Sequence, residues 1–288
     1  MNIKTLLNKT TKFFKEKNIP NPRLDAEVLL ADLLDMERIK LYVNFDYPLT
    51  KDELTEYRER VVRRAKREAV SYITGHKEFM SLDFEVEKGV LIPRPETELL
   101  VENILDYFEE EEIEAPNIVE VGPGSGAIMI SLGHYLPKAK ILGIDISQKA
   151  VKLTRKNIKK HELEDRLKVN KGDLLQPLLK RDTQNVDLVV SNPPYISDED
   201  MENLQPEVKK EPKLALAGGK DGLEVYKKLI PQAGSVLKKG GLLALEIGYD
   251  QGDRLKKFIN ESGEYKDVEI KEDYNGKDRM IFASKKEK

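Results

Sequence analysis

Apolar residues in the first quarter of the chain recur every three or four positions. This spacing continues through residues 1–75 and predicts amphipathic helices rather than strands. Thr50 and Glu53 form the Thr-x-x-Glu pattern of a capping box, so one of these helices is expected to begin directly after Thr50. We therefore predict a small N-terminal helical domain over residues 1–75.

A period of two replaces the helical period after residue 75. Leu82, Phe84 and Val86 alternate with polar residues, and a Glu-Lys-Gly turn signal that ends at Gly89 follows them. Alternation bounded by turn residues is typical of a β-hairpin. Residues 76–93 are accordingly predicted to be a hairpin linker that turns near Gly89.

Residues 94–288 alternate between short apolar strands and helical segments. This alternation favours a parallel sheet with helices on both faces, an α/β fold of the Rossmann-like kind. The last two strand-like runs flank Asn275 and Gly276, a turn signal for antiparallel pairing. We predict a mostly parallel sheet whose last strand is antiparallel.

Composition narrows the classes of site that the chain can hold. Its 288 residues include no cysteine, which excludes disulfides and cysteine zinc sites, and its three histidines are far apart in sequence, so no metal site is expected. The net charge of −3 argues against a general nucleic-acid binder. No apolar run is suited to spanning a bilayer, so we expect a cytoplasmic protein without a membrane partner.

Charge is divided unevenly between the two parts of the chain. Residues 1–75 carry a net charge of +3 and the remainder carries −6. Most of the excess lies on one predicted helix, whose basic residues are Arg58, Arg60, Arg63, Arg64, Lys66 and Arg67. Two interpretations stay open: a solvated helix face, which is the commoner case, or a docking surface for an acidic partner.

A glycine-rich turn follows the first predicted parallel strand and opens a helix. Without side chains, its glycines let backbone N–H groups and the helix N-terminus approach a ligand. The turn also matches a dinucleotide pattern, so it leaves open a dinucleotide or S-adenosylmethionine, although three glycines within five residues favour the latter. The residues of the turn are Gly122, Pro123, Gly124, Ser125 and Gly126.

Acidic residues end the next two predicted strands. Asp145 lies about 20 residues beyond the turn, where a carboxylate can accept both ribose hydroxyls of a cofactor. Asp173 can accept the adenine amine and Leu174 can pack on the ring, although Asp173 could equally be a helix N-cap. These three residues complete the predicted cofactor site.

The fourth predicted strand ends in Ser-Asn-Pro-Pro-Tyr. Asn192 therefore lies at the carboxyl edge of the sheet, where open α/β sheets bind ligands. The side-chain oxygen of Asn192 and the carbonyls of Pro193 and Pro194 are acceptors held a few ångströms apart, because proline fixes the backbone. Two such acceptors match an –NH2 group, and Pro194 and Tyr195 complete the corner, with Tyr195 placed to pack on a planar amide or ring. The competing interpretation is a plain turn.

The corner suits methylation of a conjugated nitrogen. Such a nitrogen keeps its lone pair in the π-system and is a poor nucleophile, so gripping both N–H bonds favours a more tetrahedral geometry. Oriented approach is worth about 7–11 kcal/mol in favourable cases, and no metal is required. From the residues alone, the acceptor is an amide or an aromatic amine.

Four segments resemble a known family. SNPPYI and EVGPGSGAI are similar to class I methyltransferases of amino groups, whereas LIPRPETELLV (residues 91–101) and EPKLALAGGKDGLEVYKKLI (residues 211–230) resemble the HemK/PrmC family in particular. The resemblance spans nearly the whole chain. It implies a seven-stranded class I S-adenosylmethionine-dependent methyltransferase domain behind a substrate-docking helical domain.

The resemblance also implies an activity: methylation of the glutamine side-chain amide in the Gly-Gly-Gln motif of class 1 peptide chain release factors. S-adenosylmethionine is the implied donor and S-adenosylhomocysteine the product. Apart from the resemblance, we expect a monomer and no direct nucleic-acid contact. By position, the glycine-rich turn, Asp145, Leu174 and Asn192 bind the donor. The residues implied to bind the glutamine are Asn192, Pro193, Pro194 and Tyr195, of which Asn192, Pro193 and Tyr195 are catalytic.

Two positions depart from the family pattern, and two have no assigned role. Pro123 stands where threonine is more usual, and Leu174 where an aromatic residue can occur. Arg94 and Thr97 belong to a family segment, but their role does not follow from the sequence. The alternatives are an adenine methyltransferase acting on DNA or RNA, a silent S-adenosylmethionine- or nucleotide-binding module, and an NAD enzyme.

Overall fold

The structure, a computed structural model, describes residues 1–287 and divides into two compact units. The helical unit comprises residues 1–76 together with residues 205–210. The sheet unit comprises the rest of the described chain. The helical unit thus takes in a short segment that the sequence predicts to be part of the second domain.

Five helices build the helical unit around a core of its own. They are α1 (Ile3–Glu16), α2 (Pro22–Leu33), α3 (Arg38–Val43), α4 (Lys51–Ala65) and α5 (Val70–Thr74). Their apolar faces bury Leu7, Phe14 and Tyr57. The predicted capping box is confirmed: the Glu53 N–H donates to Thr50 Oγ1, and the Thr50 N–H donates to Glu53 Oε2 at 2.7 Å.

Three arginines, two in the last turn of α4 and one just beyond it, form ion pairs inside the helical unit. Arg64 is buried, and its guanidinium donates to Asp25 at 2.7 Å and to Glu207 at 2.9 Å. Arg67 donates to the same Glu207 oxygen at 3.1 Å, and Arg63 pairs with a glutamate just beyond the helix. Burial of one partner makes such pairs costly to break. These arginines therefore hold the unit together rather than forming a free basic face.

The hairpin lies earlier in the chain than the sequence predicts. Its strands are β1 (His76–Phe79) and β2 (Leu82–Glu85). Met80 and Ser81 form the turn with positive φ of 51° and 58°, as a type I′ turn requires at both central residues. The predicted turn near Gly89 was wrong, because Met-Ser carries no turn signal. A glutamate of the next helix accepts the Met80 N–H and anchors the turn instead.

A seven-stranded sheet forms the centre of the sheet unit. Its strands are β3 (Asn117–Val121), β4 (Lys140–Asp145), β5 (Leu167–Lys171), β6 (Val186–Ser191), β7 (Leu237–Glu246), β8 (Tyr265–Glu272) and β9 (Asp278–Lys285). They lie in the order β5-β4-β3-β6-β7-β9-β8. The last strand, β9, runs antiparallel to both of its neighbours, so the predicted seven-stranded sheet with an antiparallel last strand is confirmed.

Helices connect these strands and cover the sheet. They are α6 (Glu96–Glu110), α7 (Ala127–Tyr135), α8 (Gln148–Lys160), α9 (Gln176–Leu179), α10 (Glu224–Val236) and α11 (Gly252–Glu261). Two apolar cores, one on each face of the sheet, result from strands whose side chains alternate in direction.

The order of the strands determines where a ligand can bind. β3 pairs in parallel with β4 on one side and with β6 on the other. The connection after β3 leads to β4, whereas the connection after β6 leads to β7 in the opposite direction along the sheet. This reversal opens a crevice at the carboxyl ends of β3 and β6. The glycine-rich turn and the Asn-Pro-Pro-Tyr corner follow β3 and β6, so the sheet brings both to this edge.

Candidate active site

The glycine-rich turn depends on backbone conformations that disfavour other residues. Gly122, Gly124 and Gly126 have φ of 72°, 60° and 88°, all in the left-handed region. A Cβ built on Gly122 would meet no atom within 4 Å, and this residue lines a cavity of the sheet unit. A side chain there would fill space that a ligand can occupy, so glycine keeps one wall of the cavity open.

Asp145 ties the turn to the end of β4. One of its carboxylate oxygens accepts the Gly124 N–H at 3.1 Å, and the other accepts the Ser147 N–H at 2.8 Å. Burial raises the pKa of this carboxyl above its ordinary value, although both N–H donors oppose the shift. Asp145 is oriented toward the cavity with lone pairs left for ligand hydroxyls.

Glu120 is a second buried acid on the same edge. It lies within β3, accepts the Met129 N–H at 2.9 Å and is 1% exposed. Burial raises its pKa to about 8, with a further contribution from the charge of Asp145. Its carboxylate caps the first turn of α7 beneath the cavity.

One cavity collects most of the residues that the sequence singles out. Of those residues, its lining contains Gly122, Pro123, Gly124, Ser125, Asp145, Asp173, Leu174, Asn192, Pro193 and Pro194. Gly126 and Tyr195 do not line it. Apolar walls come from Val90, Ile128 and Leu174, and the last holds a strained φ of 47°. The predicted cofactor site and the Asn-Pro-Pro-Tyr corner thus line the same cavity. The roles given to individual residues remain predictions.

The Asn-Pro-Pro-Tyr corner is held from behind by a chain of polar groups. Asn192 Nδ2 donates to Thr97 Oγ1 at 3.2 Å, and Thr97 Oγ1 donates to Glu246 Oε2 at 2.6 Å. The Tyr195 hydroxyl lies 3.5 Å from the other oxygen of Glu246, a long contact. Tyr195 therefore points its hydroxyl at this buried acid. The packing of its ring on a substrate amide stays a prediction.

Burial controls the electrostatics of this chain of groups. Glu246 is 1% exposed, and burial raises its pKa to about 7, partly offset by the hydrogen bond from Thr97 and the charge of Arg279. Burial and the neighbouring Glu246 raise the pKa of Tyr195 to about 12. Tyr195 therefore stays protonated, whereas Glu246 changes its charge near neutral pH.

The loop after Tyr195 packs against the Gly-Gly-x-Asp-Gly segment. Ile196 N–H donates to the Leu216 carbonyl at 2.9 Å, and Gly218 N–H donates back to Ile196 at 2.8 Å. A Cβ on Gly218 would lie 2.8 Å from Tyr195 Cα and 2.7 Å from the Gly222 carbonyl. Only glycine allows the backbone at position 218 to come this close to Tyr195 and Gly222. This is a physical reason for the Gly-Gly-x-Asp-Gly segment to occur together with the Asn-Pro-Pro-Tyr corner.

One ion pair joins the segments 91–101 and 211–230, the two that resemble the HemK/PrmC family in particular. Arg94 Nη2 donates to Glu211 Oε1 at 2.5 Å, and the Ile92 N–H donates to the other oxygen at 3.4 Å. The Glu211 side chain is 2% exposed, whereas that of Arg94 is 31% exposed. The role of Arg94, which does not follow from the sequence, is therefore at least structural: it compensates a buried carboxylate.

Sequence reasoning missed Glu120 and Glu246. Both are acids within otherwise apolar strands, and Glu246 ends β7 beside the end of β6. A charged residue that interrupts a buried strand is itself a signal, because burial is costly unless the charge is used. For Thr97, its position in a family segment is the only signal in the sequence.

Two kinds of feature are absent from the part of the chain that the structure describes. Within residues 1–287, no group of His, Asp and Glu side chains is arranged to hold a metal ion. In the same range, no helix combines the length and the apolar character needed to cross a membrane.

Comparison with known proteins agrees with this geometry. The PrmC N-terminal domain model matches residues 5–75, and the methyltransferase small domain model matches residues 95–211. The hMettl16 catalytic domain, solved in complex with MAT2A 3′UTR hairpin 1, is a structural neighbour with a TM-score of 0.57 and 16% identity. It covers 82% of this chain and 81% of its own, and at that identity it supports the fold alone.

Curated relatives match along the entire chain. The release factor glutamine methyltransferase of Moorella thermoacetica is 39% identical and covers 100% of both chains. That of Clostridium botulinum is 41% identical over 99% of this chain and 100% of its own, and that of Geobacter sulfurreducens is 41% identical over 97% and 95%. The chain belongs to the release factor glutamine methyltransferase family.

Proposed function

We propose that this protein transfers a methyl group from S-adenosylmethionine to the side-chain amide nitrogen of the glutamine in the Gly-Gly-Gln motif of class 1 translation release factors. One observation carries the proposal: the amide-gripping corner at Asn192 lines the same cavity as the glycine-rich turn. Full-length similarity to release factor glutamine methyltransferases supports the choice of substrate.

The donor site fits S-adenosylmethionine in its chemistry. The open space beside Gly122 suits a ligand close to the backbone, Asp145 suits ribose hydroxyls, and Leu174 offers an apolar face for adenine. When bound, S-adenosylmethionine supplies an activated methyl group on a sulfonium that leaves as neutral sulfur. The residues of this chain then have to place the acceptor nitrogen.

Asn192 and Pro193 perform that placement. Asn192 Oδ1 has no hydrogen-bond donor among the described residues, so it is available to accept one amide N–H of the glutamine. The Pro193 carbonyl, fixed by the two consecutive prolines, takes the other. No dedicated base is needed, because the displaced proton becomes acidic once the nitrogen carries the methyl group.

The helical unit is proposed as the docking domain for the release factor. The ion pairs of Arg63, Arg64 and Arg67 leave Arg58 and Lys66 as exposed basic residues of that region. Reversing the charge of Arg58 and Lys66 is expected to raise KM for the release factor without changing the Kd for S-adenosylmethionine. An unchanged KM would remove the electrostatic part of this docking model.

An adenine methyltransferase is the alternative that shares the Asn-Pro-Pro-Tyr corner. It is less well supported, because residues 76–288 carry a net charge of −6 and the curated relatives are named for a protein substrate. Direct nucleic-acid contact is therefore not part of the proposal. Because the proposed substrate acts in translation, we expect a cytoplasmic enzyme. We also expect a monomer, which size-exclusion chromatography checks.

Methyl transfer to alternative acceptors tests the proposal. The protein is incubated with methyl-labelled S-adenosylmethionine and a release factor, a release factor whose Gly-Gly-Gln glutamine is replaced by alanine, tRNA, or DNA. Label is expected on the intact release factor alone. Label on tRNA or DNA with none on the release factor contradicts the proposal.

A further inference from the structure

The hydrogen bonds behind Asn192 form a chain with a defined direction. Thr97, the second residue of α6, lies between Asn192 at the end of β6 and Glu246 at the end of β7. The Thr97 side chain is buried, and its 2.6 Å contact to Glu246 is much shorter than its 3.2 Å contact to Asn192. The short contact is typical of a hydroxyl that donates to a carboxylate.

The number of protons in this chain decides which way the Asn192 amide faces. A threonine hydroxyl has a single proton, so when Thr97 donates to Glu246 its oxygen can only accept from Asn192. Asn192 must then turn its NH2 group to Thr97. The amide oxygen is left as the free acceptor, which is the orientation that a glutamine –NH2 group requires.

The opposite arrangement of protons would prevent Asn192 from accepting a hydrogen bond from the substrate –NH2 group. If Glu246 presented a proton to Thr97, the hydroxyl could donate to Asn192 Oδ1 instead, and the amide could turn over. Its NH2 group would then face the NH2 group of the substrate, and two donors cannot hydrogen-bond to each other. The orientation of Asn192 therefore depends on a residue that lies two hydrogen bonds away.

We propose that Thr97 and Glu246 are positioning residues that fix Asn192 with its amide oxygen toward the acceptor nitrogen. This inference rests on the proposed function, since it presumes a substrate –NH2 group at Asn192. It assigns a role to Thr97 of the Pro-Arg-Pro-Glu-Thr segment. It also explains why that segment and the end of β7 converge behind the corner.

Substitutions of Thr97 separate the effect of its hydroxyl from the effect of its side-chain shape. Thr97→Val keeps the branched shape and removes the hydroxyl, whereas Thr97→Ser keeps the hydroxyl. We expect Thr97→Val to lower kcat on the order of 10- to 100-fold, the usual cost of losing an orienting partner, with a Kd for S-adenosylmethionine within about threefold of wild type. Thr97→Ser is expected to recover most of the lost kcat.

Tyr226→Phe is the matched control. The Tyr226 hydroxyl donates to the backbone carbonyl of Glu246 at 2.7 Å, so this variant removes a buried hydrogen bond to the same residue without touching the chain to Asn192. Its thermal stability is expected to fall while kcat stays within about twofold of wild type. If Thr97→Val does not fold, Glu246→Gln serves instead, because its –NH2 group can donate to Thr97 and release the amide of Asn192.

The outcomes distinguish this inference from the proposed function. If the wild-type protein does not methylate the release factor, the proposed function fails and the inference fails with it. If the wild type is active but Thr97→Val loses no more kcat than Tyr226→Phe, the inference alone is overturned. The same holds if Thr97→Ser is as impaired as Thr97→Val, since the hydroxyl would then not matter.

Discussion

Glu246 is expected to make stability and activity change in opposite directions with pH. Its carboxyl ordinarily titrates near 4.5, and burial raises its pKa in the folded protein to about 7. Between these two values the folded state holds a proton that the unfolded state has lost. The free energy of unfolding therefore falls as pH rises through this window and levels off above pH 7.

The size of the effect follows from the same two pKa values. A rise from 4.5 to about 7 corresponds to a loss of about 3 to 4 kcal/mol of stability across the window, at about 1.4 kcal/mol for each pH unit. Activity is expected to rise over the upper part of that window, because an ionised Glu246 always accepts from Thr97. The charged and titratable groups that face Glu246 are Glu96, Tyr195, Tyr226 and Arg279.

Glu246→Gln isolates this contribution from other titrating groups, including Glu120. Urea denaturation of wild type and variant between about pH 5 and pH 8.5 gives the difference in unfolding free energy, and initial rates at saturating substrate give kcat. As pH rises, the free energy of unfolding of the variant is expected to increase relative to that of the wild type. The step in kcat near pH 7 is expected in the wild type and not in the variant. The exposed Glu109→Gln is the control and should keep both pH profiles, because Glu109 is not among the groups that shift the pKa of Glu246. A pH-independent difference in stability, or the same kcat step in Glu246→Gln, would show that Glu246 is not the titrating group.

Three further predictions concern single side chains. Asn192→Ala should lower kcat on the order of 100-fold in steady-state kinetics, with a much smaller change in the Kd for S-adenosylmethionine measured by calorimetry. Retained turnover would exclude Asn192 as an acceptor for the substrate –NH2 group. Arg94→Ala should lower the free energy of unfolding by about 3 kcal/mol because it leaves the buried Glu211 unpaired, whereas a loss under about 1 kcal/mol would mean that water compensates the charge. Arg64→Ala should lower the free energy of unfolding by a similar amount. The exposed Arg58→Ala is the control and should stay within about 0.5 kcal/mol of wild type in the same denaturation series. Equal losses of unfolding free energy in the two variants would contradict the structural role of Arg64.

Local signals predicted the sheet unit well because each strand carries its own pattern. The glycine-rich turn, Asp145 and the Asn-Pro-Pro corner each follow a strand, and parallel strands bring such positions to one edge. The predicted cofactor and substrate residues therefore meet in one cavity, apart from Gly126 and Tyr195.

The features that were not predicted depend on contacts between distant parts of the chain. The hairpin turn at Met80 is held by a glutamate 18 residues away, and the Arg64 pair with Glu207 spans 143 residues. Glu246 is 149 residues from Thr97, so nothing in the local pattern of either residue indicates the other. Such pairs follow from packing, which periodicity does not contain.

Site-resolved mass spectrometry of the release factor after reaction shows directly which atom is methylated. We expect one added methyl group on the Gly-Gly-Gln glutamine, located on its side-chain nitrogen, when wild-type protein and S-adenosylmethionine are present. We expect little or no methyl group there when Asn192→Ala replaces the wild type. A methyl group on any other residue, or an unmodified glutamine after full reaction with the wild type, would contradict the proposed function.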